Sequence, residues 1–283
     1  MVSIADAFVT LRPDVSNFGR ETEAAVSRSL QSITGDLMRS GAVLTAGLTV
    51  PITAIGVTAV RSAMSFESAF TGVIKVIDAT DEEIAGLRSG IIGMSKELPA
   101  SASEIADVAM AAGQLGIQTG SILDFTRVMI DLGEATNLHA TEAATQLARF
   151  ANITQMSQRD FGRLGSTVVE LGNNLATTEA EIVQFGLRIA GAGAQIGLSE
   201  HQILAWGGAL SSVGIEAEAG GTAISRVFID IANAVANGGS DLTKFAAIAG
   251  QSANDFAAAF RADASEAVLS FIQGLGDLSA SGE

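Results

Sequence analysis

Cysteine and tyrosine are absent from this 283-residue chain, tryptophan occurs once, histidine twice, and lysine and proline three times each. Without cysteine there is no disulfide framework, thiolate nucleophile, iron–sulfur cluster or Cys-ligated zinc site. The two histidines, His139 and His201, stand 62 residues apart with no third imidazole, so the usual zinc ligand set is missing. Each reads as a surface or helix-end residue. No G-K-[ST] follows a glycine loop, and Lys75, Lys96 and Lys244 lie outside any P-loop context. No G-x-S-x-G elbow occurs either. Pro13, Pro51 and Pro99 are all early, which leaves 184 consecutive residues from Ala100 onward where nothing interrupts a helix.

Small residues are what the chain has instead: 48 Ala and 31 Gly against 13 Phe. Each buried position then removes less apolar area than in an ordinary core, and close backbone packing has to replace bulk. With 48% apolar residues the chain is too hydrophobic to stay disordered. Its formal net charge is −15, and every excess acid lies after Phe66, where 26 acids face 11 bases. Affinity for a phosphate backbone comes mostly from counterions displaced by Lys and Arg, so specific nucleic-acid binding is not expected.

The start, MVSIADAFVTLRPDVSNF, predicts a short extended lead-in through Phe8 to Leu11, with no basic region or A-x-A site of a signal peptide. Val26, Leu30, Ile33 and Leu37 form one helix stripe. Ile84, Leu87, Ile91, Met94 and Leu98 form another, which suits a two-heptad coiled-coil seam or one face of a globular helix. Helix starts are marked by a hydroxyl or Asp with an acid or amide three residues later: Thr80/Glu83, Ser101/Glu104, Ser157/Asp160, Thr178/Glu181, Ser199/Gln202, Ser252/Asp255 and Asp263/Glu266. Helical period continues at Ile182, Phe185 and Ile189, and at Ile224, Val227, Phe228, Ile231 and Val235. The fold class follows as all-α: a succession of short helices and helical hairpins, elongated in form. A faint echo links residues 101–117 to 177–198, about 77 residues apart, and suggests two related helix-turn-helix units.

Residues 40–60, SGAVLTAGLTVPITAIGVTAV, carry no charge and would span roughly 31 Å as a helix. Pro51 would kink it. A kinked helix or hairpin buried in an oligomer and a membrane-inserting segment both fit. Three domains are expected: a lead-in with an amphipathic helix over 1–39, the apolar segment over 40–65, and an acidic Ala/Gly-rich helical core over 66–283. The run Gly191-Ala-Gly193-Ala-Gln-Ile-Gly197 has a dinucleotide-like look, but its last spacing is wrong and it follows a helix, so it reads as a turn between helices. Asp78, Asp81, Glu82 and Glu83 sit where a helix N-terminus favours negative charge. No catalytic, cofactor-binding or metal residue is assigned.

FESAFTGVIKVIDATDEEIAGLRSGIIGMSKELPASASEIADVAMAAGQLGI, from Phe66 to Ile117, resembles the core of phage tail tape measure proteins. So do RFANITQMS at 149–157 and LGNNLATTEAEIVQFGLRIAGAGAQIGLSEHQILAWGGALSSVGIEAEAGGTAISRVFIDI at 171–231. The resemblance implies a structural virion protein inside the tail tube that sets tail length by templating tube assembly and leaves ahead of the genome. It implies tail-tube, assembly-chaperone and tail-tip or baseplate partners, a homo-oligomer with Gly186, Ala190, Gly193 and Ala194 at close helix contacts, and no enzyme activity or cofactor. It places the protein in the host cytoplasm during assembly and, through 40–60, at the host membrane during ejection. Relatives of this kind are much longer, so residues 66–283 are expected to be a truncated core. The alternative is a membrane-active, pore-forming or toxin-like helical protein built on 40–60.

Overall fold

A computed structural model describes residues 49–281. The extended lead-in, the stripe from Val26 to Leu37 and the first part of the 40–60 segment lie outside the described residues. Contacts divide the chain into Met1–Met64 and Ser65–Glu283. The described residues form twelve α-helices and one 3-10 turn, with no strand among them. They are α1 (Thr49–Val76), α2 (Asp81–Glu97), α3 (Ala102–Gln114), the 3-10 turn Thr119–Ser121, α4 (Ile122–Ala135), α5 (Ala140–Thr154) and α6 (Phe161–Asn174). Then follow α7 (Glu179–Gln195), α8 (Glu200–Ser212), α9 (Ala217–Asn237), α10 (Gly239–Ile248), α11 (Ala253–Ala262) and α12 (Ala264–Ser281). Pro51 is the third residue of α1, and a kink upstream of it would fall outside the described residues.

Local chemistry fixes most of the helix ends. Thr80, Ser101, Thr178 and Ser199 each accept from the backbone N–H three residues on, while Glu83, Glu104, Glu181 and Gln202 accept from the cap's own N–H. Ser252 and Asp263 cap α11 and α12 through Asp255 N and Glu266 N. Ser157/Asp160 is not a box. There Asp160 N donates to the Ser157 carbonyl in a turn, and the helix waits for Phe161, whose ring meets Phe125 edge-on at 4.6 Å. Four helices end on a left-handed glycine. Gly116, Gly197, Gly214 and Gly250 have φ between 68° and 83°, and the residue after each donates to the carbonyl five back, as Ile117 N does to Ala112 O and Leu198 N to Gly193 O. Ile117 and Leu198 are buried as they leave the helix.

Leu87, Ile91 and Met94 are buried, with Ile84 and Leu98 packed against the same core. α2 lies on α3 and α4 of its own chain, so the stripe serves as a globular helix face. Ile182, Phe185, Ile189, Phe228 and Ile231 are all at zero exposure.

The echo noticed at 101–117 and 177–198 belongs to a larger repeat. A shift of 77 residues carries Ile84, Leu87, Ile91, Met94 and Leu98 onto Phe161, Leu164, Val168, Leu171 and Leu175. It also carries the Ser101/Glu104 box onto Thr178/Glu181, and the buried Ile105, Ala106, Val108, Ala109 and Ala112 onto Ile182, Val183, Phe185, Gly186 and Ile189. The helices therefore fall into positions A (α2, α6, α10), B (α3, α7, α11), C (α4, α8, α12) and D (α5, α9). In each unit A packs on B and C, and B packs on C; D packs on B in the two units that have one. α7 has 17 residues where α3 has 13, an extra turn. The register is regained at the starts of α5 and α9, because the second unit lacks the 3-10 turn. Units this alike, each contacting its neighbours, are the pattern of a repeat protein.

Candidate functional site

His139 and His201 lie at the starts of different helices, 62 residues apart. His139 precedes α5 and accepts from Ala143 N–H through its backbone carbonyl at 2.8 Å. Its ring lines a groove of about 270 Å³ with Glu104, Asp107 and Glu134. His201 lies in the first turn of α8 and clamps it to α6: Nδ1 is 2.7 Å from Thr167 Oγ1, and Nε2 is 3.4 Å from Arg163 Nη2. Since arginine can only donate, Nε2 accepts and Nδ1–H donates to Thr167, whose hydroxyl in turn donates to the Arg163 carbonyl at 3.0 Å. The imidazole is tied into helix packing. Among the described residues no group of His, Asp and Glu could hold a metal ion.

The acids at 78–83 are spent on the start of α2, where the Glu83 carboxylate accepts from Thr80 N at 2.8 Å and Oγ1 at 2.9 Å. The glycine run at 191–197 forms the last turns of α7 and its cap. A helix C-terminus presents carbonyls, the wrong polarity for a pyrophosphate. Gly191 is exposed with nothing within 4 Å of where a Cβ would stand. Gly191→Ala is therefore expected to stabilise the protein by about 0.5–1 kcal/mol, by removing the entropic cost of a mid-helix glycine. Chemical denaturation checks the sign.

Gly186, Ala190 and Gly193, expected at contacts between copies, are used inside the chain. A Cβ at Gly186 would stand 2.8 Å from Leu204 Cδ2, and one at Gly193 2.8 Å from Ile203 Cγ1, so these positions let α8 cross α7 closely. Ala190 is fully buried and Ala194 half-buried. A glycine packed against a chain's own next helix reads in sequence like one packed against another copy.

What does recur is shape. A second groove, of about 310 Å³, is lined by Glu181, Gln184, Phe185, Ser211 and Glu216. These are the 77-residue counterparts of Glu104, Asp107, Val108, Glu134 and His139 in the first. Both open beside a capping box. Glu104 is held below the usual carboxylate range by the Ser101 backbone N–H and then its hydroxyl. Glu181 is lowered likewise by Thr178 and Thr177, and Glu83 by Thr80. Glu67 is lowered by its bond to Arg88, while burial and the charge of Glu104 push Asp107 up.

A carboxylate lowered in the fold stabilises it above its unfolded pKa, near 4.3, and that contribution is lost as pH falls through the folded value. Asp107 acts in the opposite direction, as does relief of repulsion among the 26 acids after Phe66. The capping share is thus isolated by difference. Between about pH 5 and 3 the urea midpoint should fall further in the wild type than in the double variant Glu104→Gln, Glu181→Gln. Parallel curves would contradict the capping assignment.

The first groove brings His139 beside Glu104, Asp107 and Glu134, and of these Glu104 is engaged in its capping box. The chain is 24% identical over 184 residues to a protein described as a probable tape measure protein of Halomonas phage phiHAP-1. That match takes in 60% of this chain and 21% of the relative, so the chain spans about a fifth of the relative's length. No solved structure matches. The sequence profile of a family described as phage-related minor tail protein matches residues 88–283, from within α2 to the last residue. That match covers well over half of the sequence, and the chain belongs to the family of phage-related minor tail proteins.

Proposed function

We propose that this chain is part of a tape measure protein: it lies inside the tail tube, sets tail length by templating tube assembly, and leaves the tail ahead of the genome. The observation that carries this reading is the family match over residues 88–283, together with the likeness to a probable tape measure protein. An all-helical repeat suits the role, because a ruler needs length in regular increments and no reactive group. On this reading the chain is no enzyme and takes no cofactor. It assembles as a homo-oligomer with tail-tube protein, assembly chaperones and tail-tip or baseplate proteins, first in the host cytoplasm and then in the virion.

The three stretches expected from sequence, 1–39, 40–65 and the acidic Ala/Gly-rich core over 66–283, are carried into this reading. Six bases after Phe66 are drawn into ion pairs, so the acid surplus stands. It keeps the core weakly attached to the DNA behind it. Blotting purified tails before and after triggered ejection tests release: the protein should be present before and lost after, and retention in emptied tails would overturn it.

The alternative, a membrane-active pore or toxin, draws on the uncharged run at 40–60. Among the described residues no helix is long and apolar enough to cross a membrane, so insertion would need residues upstream of Thr49. Liposome flotation with and without 40–60 decides it, and binding that ignores the segment counts against insertion.

A further inference from the structure

The repeat leaves its third unit short. In the first unit, α5 begins against the end of α4, where a Cβ on Gly133 would stand 3.1 Å from Ala140 N and 3.2 Å from its Cβ. In the second, Gly220 and Gly221 at the start of α9 close on Phe185 and Arg188 of α7. In the third, α10, α11 and α12 pack on one another as A, B and C, and Gly274 of α12 meets the Ile248 carbonyl at the end of α10. No D helix follows among the described residues.

Buried positions align α12 with α4: Ala264, Ala267, Phe271 and Ile272 take the places of Ile122, Phe125, Met129 and Ile130. Leu275 then stands where Gly133 meets its D helix, and it is 43% exposed. Ile272 is only half-buried, where Ile130 is 4% exposed.

The other end of the repeat is finished differently. Phe66, Phe70 and Val73 of α1 take the places of Ala143, Leu147 and Phe150 of α5, so residues 65–76 act as a D helix on the first unit. Where α5 buries Ala144, Ala148 and Ala151, this helix exposes Glu67, Thr71 and Ile74. Glu67 accepts two bonds from Arg88, the second at 3.0 Å. A second copy offering this face to α10–α12 would have to bury that ion pair, at a desolvation cost that its attraction need not repay. The helix at the first end carries the Glu67–Arg88 ion pair on its outer face beside Ile74, whereas α12 presents Leu275.

We infer that the face of α10–α12 around Ile272 and Leu275 is the seat of a fourth helix of the α5 and α9 kind, supplied by polypeptide beyond residue 283. That helix is amphipathic, with alanine or glycine where it meets α11. The inference rests on the reading of the chain as part of a longer protein and is independent of any length-setting role.

The test appends a copy of residues 213–237 after Glu283 as a surrogate, with a scrambled version of the same composition as control. Hydrogen exchange of 272–281 should slow at least tenfold with the surrogate and stay unchanged with the scramble. Leu275→Glu should abolish the protection and Leu275→Ala weaken it, with the melting of the remaining helices unchanged. Equal protection by both appendages, or none by either, would overturn the assignment. So would self-association of the parent chain, seen by sedimentation velocity and abolished by Leu275→Glu, because it would give the seat to a second copy.

Discussion

Phe185→Ala should destabilise the Ser65–Glu283 unit by about 3–5 kcal/mol, the largest loss expected from a single truncation in this fold. Cores built from alanine and glycine concentrate their apolar area in few rings, and Phe185 is one of six phenylalanines essentially removed from solvent. Its ring lies under Gly220 of α9, and its Cβ stands 3.4 Å from where a Cβ on Gly207 of α8 would be. Removal of the ring opens a cavity where three helices meet. Gly220, which approaches the ring from α9, has no side chain to move into the space. In the first unit the same position is Val108, a smaller side chain, and Val108→Ala should cost about half as much or less. Urea titration followed by circular dichroism checks both. Equal losses at the two sites would contradict the account of the second unit's packing.

Gly207→Val should cost about 3 kcal/mol, by the opposite mechanism of overpacking. A Cβ there would stand 2.9 Å from the Ile182 carbonyl oxygen and 3.0 Å from Gly186 N. Both are backbone atoms of α7, which no rotamer change can move aside, so the whole crossing must open. The gain in helix propensity from glycine to valine, about 0.3 kcal/mol, offsets little of this. Gly162→Val is the control. Gly162 lies in the first turn of α6 with nothing within 4 Å of its Cβ position, and its substitution should be close to neutral. Similar losses at 162 and 207 would mean that propensity, and not the crossing, sets the effect.

The caps at Ser101, Thr178, Ser199 and Ser252 were legible in the sequence because a box is a local, directional contact between residues three apart. The starts of α5 and α9 carried no such mark, since His139 and Glu216 make no side-chain cap bond. Packing of D on B places those two helices, and packing is a non-local property. For the same reason the repeat showed only as an echo between the B helices. The A helices share spacing but only part of their identity, with Ile84 matched to Phe161, Ile91 to Val168 and Met94 to Leu171, and the extra turn of α7 breaks any simple comparison. Gly186 and Gly193 marked a close crossing correctly, while the partner helix turned out to be α8 of the same chain. Of the two grooves, nothing in sequence announced that Glu104 and Glu181 flank equivalent openings, because their walls are assembled from three helices.

On the proposed reading, the repeat contributes length to a ruler. Electron microscopy of tails tests it most directly, in phage whose full gene either lacks residues 161–237 or carries them twice. Removing them joins the first D helix to the third A helix and keeps the register of the repeat. Tails should be shortened in one case and lengthened in the other, each by up to roughly 115 Å, the span of 77 residues as continuous helix. Tails of unchanged length in both would contradict it.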